Sequence, residues 1–377
     1  MIKMRIAFVS DSVYPWNFGG IETIENSEAR ELAKKHEVHF FSMKWPGMKE
    51  NFRYNGVRYH ASHDVTVKKF YRHGRRSIRE ALIFGFRIFA IFNYKFDVIQ
   101  ANEFPIIHLP VIWLYCKLNN CKLILDVHEV WDRSYWTSYL GNVWGSLASA
   151  YASWVIMLGD AYIANSSTTA SQLQAIGVEK KRINIFSPVL DTELIEKVKL
   201  ERGSNGIIFW GRLIKEKRLD KFLEIVKVVS KKVRNLNALI LGDGPEKGNI
   251  QKMIDKMSLG STVKLEGFQK DRIKLFGRVK SSGLLLHMSE REGLSTIILE
   301  SLTLGTPVVI PDYSPVPSEV KEMCVVEKER DMPNKIVEIL NSRNKRAYIR
   351  NRGNLTAFSI SNVNQFYKGL FKKIENW

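Results

Sequence analysis

Short unbroken apolar runs alternate along the chain with longer stretches in which apolar residues recur every three or four positions. Ile6, Ala7, Phe8 and Val9 form the first run and predict a buried strand, and the stretch from Ile21 to Lys35 predicts a helix. Val38 to Met43 predicts the next strand. Asp97 to Asn102, Lys122 to Glu129 and Ala161 to Ser166 predict three more, each separated from the last by a segment of helical length. Strands that lack polar alternation and are joined through helices make a parallel sheet covered on both faces.

This pattern breaks over residues 187–205, and a fresh series begins at Ile207. It runs through a helix from Arg218 to Lys232, the strand from Ala238 into Gly242, a helix from Gly248 to Met257, and strands at Val263–Phe268 and Leu284–Ser289. The chain therefore reads as two α/β units, 1–190 and 191–360, with a last helix from about Asn362 to Lys373 inside a closing segment, 361–377. Neither first strand leads into a GxGxxG or a GxxxxGK[ST] sequence, which excludes a dinucleotide fingerprint and a P-loop.

Near the end of the second series two glutamates, Glu292 and Glu300, flank Gly293, Leu294, Ser295 and Thr296. Ser295 or Thr296 is a good N-cap for the apolar run Ile297, Ile298 and Leu299, while Gly305 and Pro307 stop the helix before the strand Val308–Ile310. Glu292 then sits in the loop and Glu300 inside the helix. The first turn carries no carboxylate, so its amides and the positive end of its dipole suit an anion such as phosphate.

Composition sharpens this picture in three places. Apolar residues make up 45% of the 377 and charged ones 25%, the proportions of a globular chain. The three cysteines, Cys116, Cys121 and Cys324, form no CxxC pair, which argues against a disulfide framework or zinc site and fits a reducing cytoplasm. The N-terminus enters a strand pattern directly, with no signal-peptide region. The net charge of +18 calls for an anionic partner. It concentrates in residues 68–95, where Lys68, Lys69, Arg72, Arg75, Arg76 and Arg79 precede a phenylalanine-rich stretch. Basic and aromatic residues together point to an anionic membrane surface, the alternative being a solvated helix face. The uncharged run from Ser134 to Gly159 predicts a buried helix reaching an interfacial edge. No nucleic-acid module accompanies the charge, so no nucleic-acid partner is expected.

Taken in order, these landmarks resemble the retaining family 4 glycosyltransferases. Glu292 and Glu300 resemble that family's Glu-x7-Glu motif. Gly211, Arg212, Leu213 and Lys217 resemble its basic donor-binding segment, and the stretches Leu239–Glu246 and Val263–Phe268 its next two signatures. Gly19 and Gly20, Val127 and His128, and Ala161–Ser167 are similar to its N-terminal ones. The resemblance implies a GT-B fold of two facing Rossmann-like domains with the donor in a cleft between them, and a last helix crossing back to the first domain.

It also implies roles. Arg212 and Lys217 are expected on the donor diphosphate, where negative charge grows as the glycosidic bond breaks. Glu300 is expected on the ribose hydroxyls, Glu292 on the transferred sugar and His128 as a hydrogen-bond donor. Gly19, Gly20, Gly211, Gly242, Phe268, Gly293, Leu294, Ser295 and Thr296 complete the expected donor contacts.

Asp126, His128 and Glu129 invite a metal reading that no second cluster supports. The sequence has no Asp-x-Asp, so no metal and no cofactor is expected beyond the nucleotide-sugar substrate. The implied function is transfer of a sugar to a lipid-linked or membrane-surface glycan by a protein peripheral to the cytoplasmic face of the membrane. A soluble acceptor or a nucleotide-sugar epimerase is the alternative, and a nucleic-acid-binding protein a remote one. A glycoside hydrolase using the two glutamates would leave Arg212 and Lys217 unexplained. Ser314 to Pro317 stands where the family often has paired glycines before the glutamate matching Glu319, which leaves the shape of the sugar pocket open.

Overall fold

The computed structural model describes residues 3–17, 19–72, 75–200, 206–349 and 352–375, and the side chains of Val67, Lys68, Tyr71, Arg72, Arg75 and Arg352 lie outside that description. The chain divides into two compact units, residues 1–189 with 360–377, and residues 190–359.

In the first unit the strands are β1 (Arg5–Val9), β2 (Glu37–Lys44), β3 (Asn51–Tyr54), β4 (Val57–Asp64), a small hairpin β5 (Tyr71–Arg72) and β6 (Arg75–Arg76), then β7 (Val98–Asn102), β8 (Lys122–Val127), β9 (Ala161–Ala164) and β10 (Ile183–Ile185). Its helices are α1 (Gly20–Ala33), α2 (Val67–Phe70), α3 (Ile78–Arg87), α4 (Leu109–Asn119), α5 (Arg133–Leu140), α6 (Asn142–Ile156) and α7 (Ser167–Ala175). The sheet order is β10-β9-β8-β7-β1-β2-β4-β3, parallel except where β3 turns back on β4. Strand order reverses between β1 and β7, so the crevice at their carboxyl ends is the place where an open α/β sheet presents its ligand contacts.

The second unit holds α8 (Thr192–Glu196), β11 (Ile207–Trp210), α9 (Leu219–Ser230), β12 (Ala238–Leu241), α10 (Lys247–Lys256), β13 (Val263–Glu266), α11 (Arg272–Ser281) and β14 (Leu284–Leu286). It continues with α12 (Thr296–Thr303), β15 (Val308–Pro311), α13 (Ser318–Lys321), β16 (Val325–Glu327) and α14 (Met332–Asn341). Its sheet is wholly parallel, in the order β13-β12-β11-β14-β15-β16, and reverses between β11 and β14. Every residue of β11, β14 and β15 is buried, because helices cover both faces. Leu219, Phe222, Leu223, Val226 and Val229 form the buried stripe by which α9 packs on the sheet.

After the second unit the chain enters α15 (Val363–Glu375), whose Val363, Tyr367, Leu370, Phe371 and Ile374 join the core of the first unit. Each such burial is worth about 1.5–3 kcal/mol relative to exposure. The Tyr367 hydroxyl donates to Gln100 Oε1 on β7, and Asn364 Nδ2 donates to the Glu31 carbonyl of α1 at 3.4 Å.

Two expectations need correction. Arg72, Arg75, Arg76 and Arg79 do not lie on one helix, as the solvated helix face offered as the alternative would require. The chain folds back through the hairpin β5–β6, and only Arg79 lies on α3. The uncharged run from Ser134 is not one buried helix either. Gly141, at φ +83°, breaks it into α5 and α6, and α6 carries Trp144 at 71% exposure. Among the described residues no helix is long and apolar enough to cross a membrane.

Candidate active site

In the second unit the strand-order reversal brings together two loops far apart in sequence. The loop after β11 carries Gly211, Arg212 and Lys217, and the loop after β14 carries His287, Ser289 and Glu292. Glycine is required on the first side. Gly242, at φ +156°, follows β12, and a Cβ there would lie 1.9 Å from the Gly211 carbonyl oxygen. Gly211 N donates to the Leu241 carbonyl at 3.0 Å and Leu213 N to the Asp243 carbonyl at 2.9 Å. The two loops thus join into one rigid lip.

Across the reversal point the Lys217 ammonium pairs with Glu292 Oε1, the two side chains being 16% and 9% exposed. His287, fully buried, places Nε2 2.8 Å from the same oxygen and 3.2 Å from both Ser289 Oγ and Ser295 Oγ. Burial alone would raise the Glu292 carboxyl. The charges of Lys217 and His287, with their hydrogen bonds, outweigh it and hold the carboxyl well below the usual carboxylate range. Glu292 is therefore a fixed anion, already matched by the Lys217 ammonium and hydrogen-bonded to His287.

Ser295 is the N-cap of α12, in the left-handed region at φ 64°, and its hydroxyl serves His287 rather than the helix amides. The first turn of α12 contains no acidic residue. Glu300, one turn further on and buried, pairs with the Arg272 guanidinium at the start of α11, whose carbon also lies 4.8 Å from the centre of the Phe276 ring. Burial raises the Glu300 carboxyl, and Arg272 opposes that rise without cancelling it. Trp210 Nε1, 3.4 Å from Ser301 Oγ, ties the end of β11 to α12. Of the remaining expected donor contacts, Arg212 is exposed, Phe268 is 47% exposed on the loop after β13, and Leu294 is buried within the Glu292 loop.

In the first unit His128 follows β8 and is buried, its Nε2 3.5 Å from Asp126 Oδ2. Its backbone amide and that of Glu129 donate to Glu103 Oε1 at 3.0 and 3.3 Å. Burial would lower the imidazole, yet Asp126, Glu103 and Glu25 raise it to about 10, so His128 is an imidazolium at neutral pH. Around it burial raises Glu103 to about 7 and Glu28 to about 8, and Glu25 well above the carboxylate range.

Glu25, Asp126 and His128 each offer a ligand atom within 4.8 Å of the others, so Glu25 takes the place that the sequence offered to Glu129. These groups are engaged only in part, since Glu25 Oε2, Glu28 Oε1 and His128 Nε2 are buried without a hydrogen-bond partner among the described residues. Asn102 Nδ2 donates to Glu25 Oε1 at 2.8 Å, and Gln100 Nε2 donates to Glu28 Oε2 at 2.8 Å and to Asp126 Oδ2 at 3.2 Å. Gly19 caps α1, and a Cβ on it would meet the Glu22 carboxylate at 2.1 Å. That carboxylate accepts from Ser12 Oγ at 2.6 Å.

Sequence reasoning missed His287 and Arg272, the immediate partners of the two glutamates. The signal was present: His287 directly follows the all-apolar strand β14, and Arg272 opens the helix after β13, both at carboxyl ends of parallel strands.

Two Rossmann-like α/β units, each with a reversal in strand order, define the GT-B class of architecture. HepE of Anabaena, solved with UDP and glucose, superposes with a TM-score of 0.68 at 16% identity, covering 98% of this chain and 99% of that one. The lipopolysaccharide outer core galactosyltransferase WaaB superposes with a TM-score of 0.64 at 18% identity, covering 98% and 100%. At these identities the likeness is one of fold. Residues 18–194 match the family model described as Glycosyltransferase Family 4, and residues 191–356 the one described as Glycosyl transferases group 1. The chain belongs to this glycosyltransferase family. An uncharacterised glycosyltransferase of Methanocaldococcus jannaschii is 34% identical over 133 residues, 35% of this chain and 32% of the relative. The match spans about a third of the length of the curated relatives.

Proposed function

We propose that this chain is a retaining, metal-independent glycosyltransferase that moves a sugar from a nucleoside-diphosphate donor to a lipid-linked or membrane-surface glycan. The observation that carries the reading is the Lys217–Glu292–His287 cluster at the strand-order reversal, with the carboxylate-free first turn of α12 beside it. Departure of a nucleoside diphosphate builds negative charge on phosphate oxygens. A lysine held by its neighbours, and helix amides already aimed, meet that charge with little reorganisation. Arg212, on the same lip as Gly211, supplies a second cation. Glu292, a fixed anion, accepts hydrogen bonds from the hydroxyls of the transferred sugar. Glu300, with Arg272 beside it, does so for the ribose.

His128 serves as a charged hydrogen-bond donor, and its environment of Asp126, Glu103 and Glu25 keeps the proton on it. Metal independence is favoured because Lys217 and Arg212 already supply positive charge for the leaving diphosphate. Retention of configuration rests on the resemblance to the family. A UDP-sugar donor is favoured by the fold shared with HepE, whose solved structure holds UDP and glucose, and a lipid-linked acceptor by the fold shared with WaaB.

The test is a panel of UDP-, GDP- and ADP-sugars incubated with the protein and a membrane lipid extract, with and without EDTA. One donor should raise the melting temperature and be consumed, with retained anomeric configuration in the product and no loss in EDTA. Absence of any stabilising donor, or turnover that magnesium alone restores, would refute the reading.

A further inference from the structure

The first unit has an apolar face that neither its core nor the donor chemistry uses. Helix α6 has no Asp, Glu, Lys or Arg along its length. One side packs inward through Ala152, Val155 and Ile156, and Gly145 lets it press against α5, where a Cβ would meet the Trp136 carbonyl at 2.4 Å. The other side faces water and is mostly apolar, with Val143 and Trp144 at 71% exposure and Leu147 at 57%, beside exposed Asn142 and half-buried Ser146. A helix that is uncharged and apolar on both sides belongs inside a protein or against lipid, and half of this one is in neither place.

The face continues onto α3. Ile78 shares an apolar hollow with Trp144 and Leu147, and Leu82 and Phe86 extend the exposed surface along that helix. The only carboxylate on α3, Glu80, is buried, whereas Arg79 and Arg87 are exposed, and neighbouring α4 contributes Lys117 as its sole charge, 3.8 Å from Asp160. Thus α3, α4 and α6 present no exposed acid. An exposed apolar patch of this extent marks an interaction site.

We infer that the α3–α6 face seats in the interfacial layer of an anionic lipid bilayer, held chiefly by inserted apolar side chains, with Arg79 and Arg87 at the headgroups. Indole and phenyl rings beside arginines, without exposed carboxylates, match the chemistry of that layer. The inference deepens the membrane-borne acceptor reading and differs from the sequence expectation in its source of affinity. Arg76, one of the expected membrane cations, has Nη1 3.1 Å from the buried Asp11 carboxylate, and the side chains of Lys68, Arg72 and Arg75 lie outside the described ones.

The experiment is flotation of the full chain with vesicles of phosphatidylcholine alone or mixed with phosphatidylglycerol, at low and high salt. Variants are Trp144→Ser/Leu147→Ser and Arg79→Gln/Arg87→Gln. Wild type should float with the anionic vesicles and keep most of its binding at high salt, since apolar insertion is not screened. The serine pair, checked for an unchanged melting temperature, should bind at least about tenfold more weakly, and the glutamine pair should lose mainly the preference for anionic lipid. Normal flotation of the serine pair would overturn the inference. So would a dimer, seen by sedimentation, that the serine pair dissociates while neither protein floats. Transfer to a lipid acceptor without flotation refutes this face and leaves the proposed function standing; flotation without transfer does the reverse.

Discussion

Replacing Lys217 by methionine tests the centre of the proposed site through stability as well as turnover. The substitution keeps most of the side-chain volume and removes the charge facing Glu292. The pair is largely shielded, at 16% and 9% side-chain exposure, so the carboxylate left behind cannot fully rehydrate. Breaking a buried pair by removing one partner costs roughly 3–5 kcal/mol. His287 Nε2 stays 2.8 Å from the same oxygen, which places the expected loss at the lower end, about 3 kcal/mol.

The pH dependence follows from the sign of the shift. The Glu292 carboxyl is depressed in the folded protein, so its stabilising contribution is present above the ordinary carboxylate range and fades as pH falls through the folded value. The gap between wild type and Lys217→Met should therefore be steady near neutrality and narrow in acid. Hydrogen exchange resolved over residues 207–217 and 287–303 reads the second unit locally. The double variant Lys217→Met/Glu292→Gln leaves no uncompensated charge and should recover much of the loss, while turnover in both falls about 10²-fold or more. If the double variant is as unstable as the single one, or if the gap is unchanged in acid, the pair does not carry the site.

Three further outcomes follow. Glu300→Ala should weaken binding of a free nucleoside diphosphate by calorimetry, whereas Glu292→Ala should leave it nearly intact and impair sugar transfer; equal losses would contradict the division of roles. Gly242→Ala should destabilise the second unit by at least about 1–3 kcal/mol of backbone strain, because its Cβ would lie 1.9 Å from the Gly211 carbonyl oxygen at a φ of +156°, and a urea titration showing no change would refute the joined lip. Glu28 is raised to about 8 and His128 to about 10, so their contributions are complete below the ordinary values of these groups and lost as pH rises to the raised ones; Glu28→Gln should flatten the fall in stability of the first unit from the ordinary carboxylate range up to about pH 8, measured by thermal melts.

The strands that the sequence revealed most clearly were those buried on both faces. The runs at Ile6, Val98, Leu123, Ile207 and Val308 are continuous because helices cover each side, and continuity is visible in one dimension. The hairpin β3–β4 at the sheet edge was not foreseen, since its residues are mostly exposed or half-exposed and mix polar with apolar side chains. The loop position of Glu292 and the helical position of Glu300 were legible from Ser295, Thr296 and Gly305. Their pairings were not: strand ends mark His287 and Arg272 as site positions, but which glutamate Lys217, His287 and Arg272 each meet depends on strand order, a property of the folded sheet. The outward face of α6 was hidden for a related reason: an uncharged helix reads as buried, and nothing in its spacing distinguishes a side packed by protein from one left uncovered.

Helix α15 makes the first unit discontinuous, and that bears on how the protein can be made. Tyr367 and its neighbours fill a core whose other walls are encoded before residue 190, with all of 190–359 intervening. During synthesis those walls emerge and must wait, with Gln100 and the apolar floor around it uncovered, until the ribosome has traversed the whole second unit. The earlier half in sequence is thus the later one to reach its finished form. Fragment 1–189 produced alone should be prone to aggregate, and a supplied 360–377 peptide should restore its solubility and melting transition; a well-folded fragment indifferent to the peptide would show that α15 is dispensable to the unit it completes.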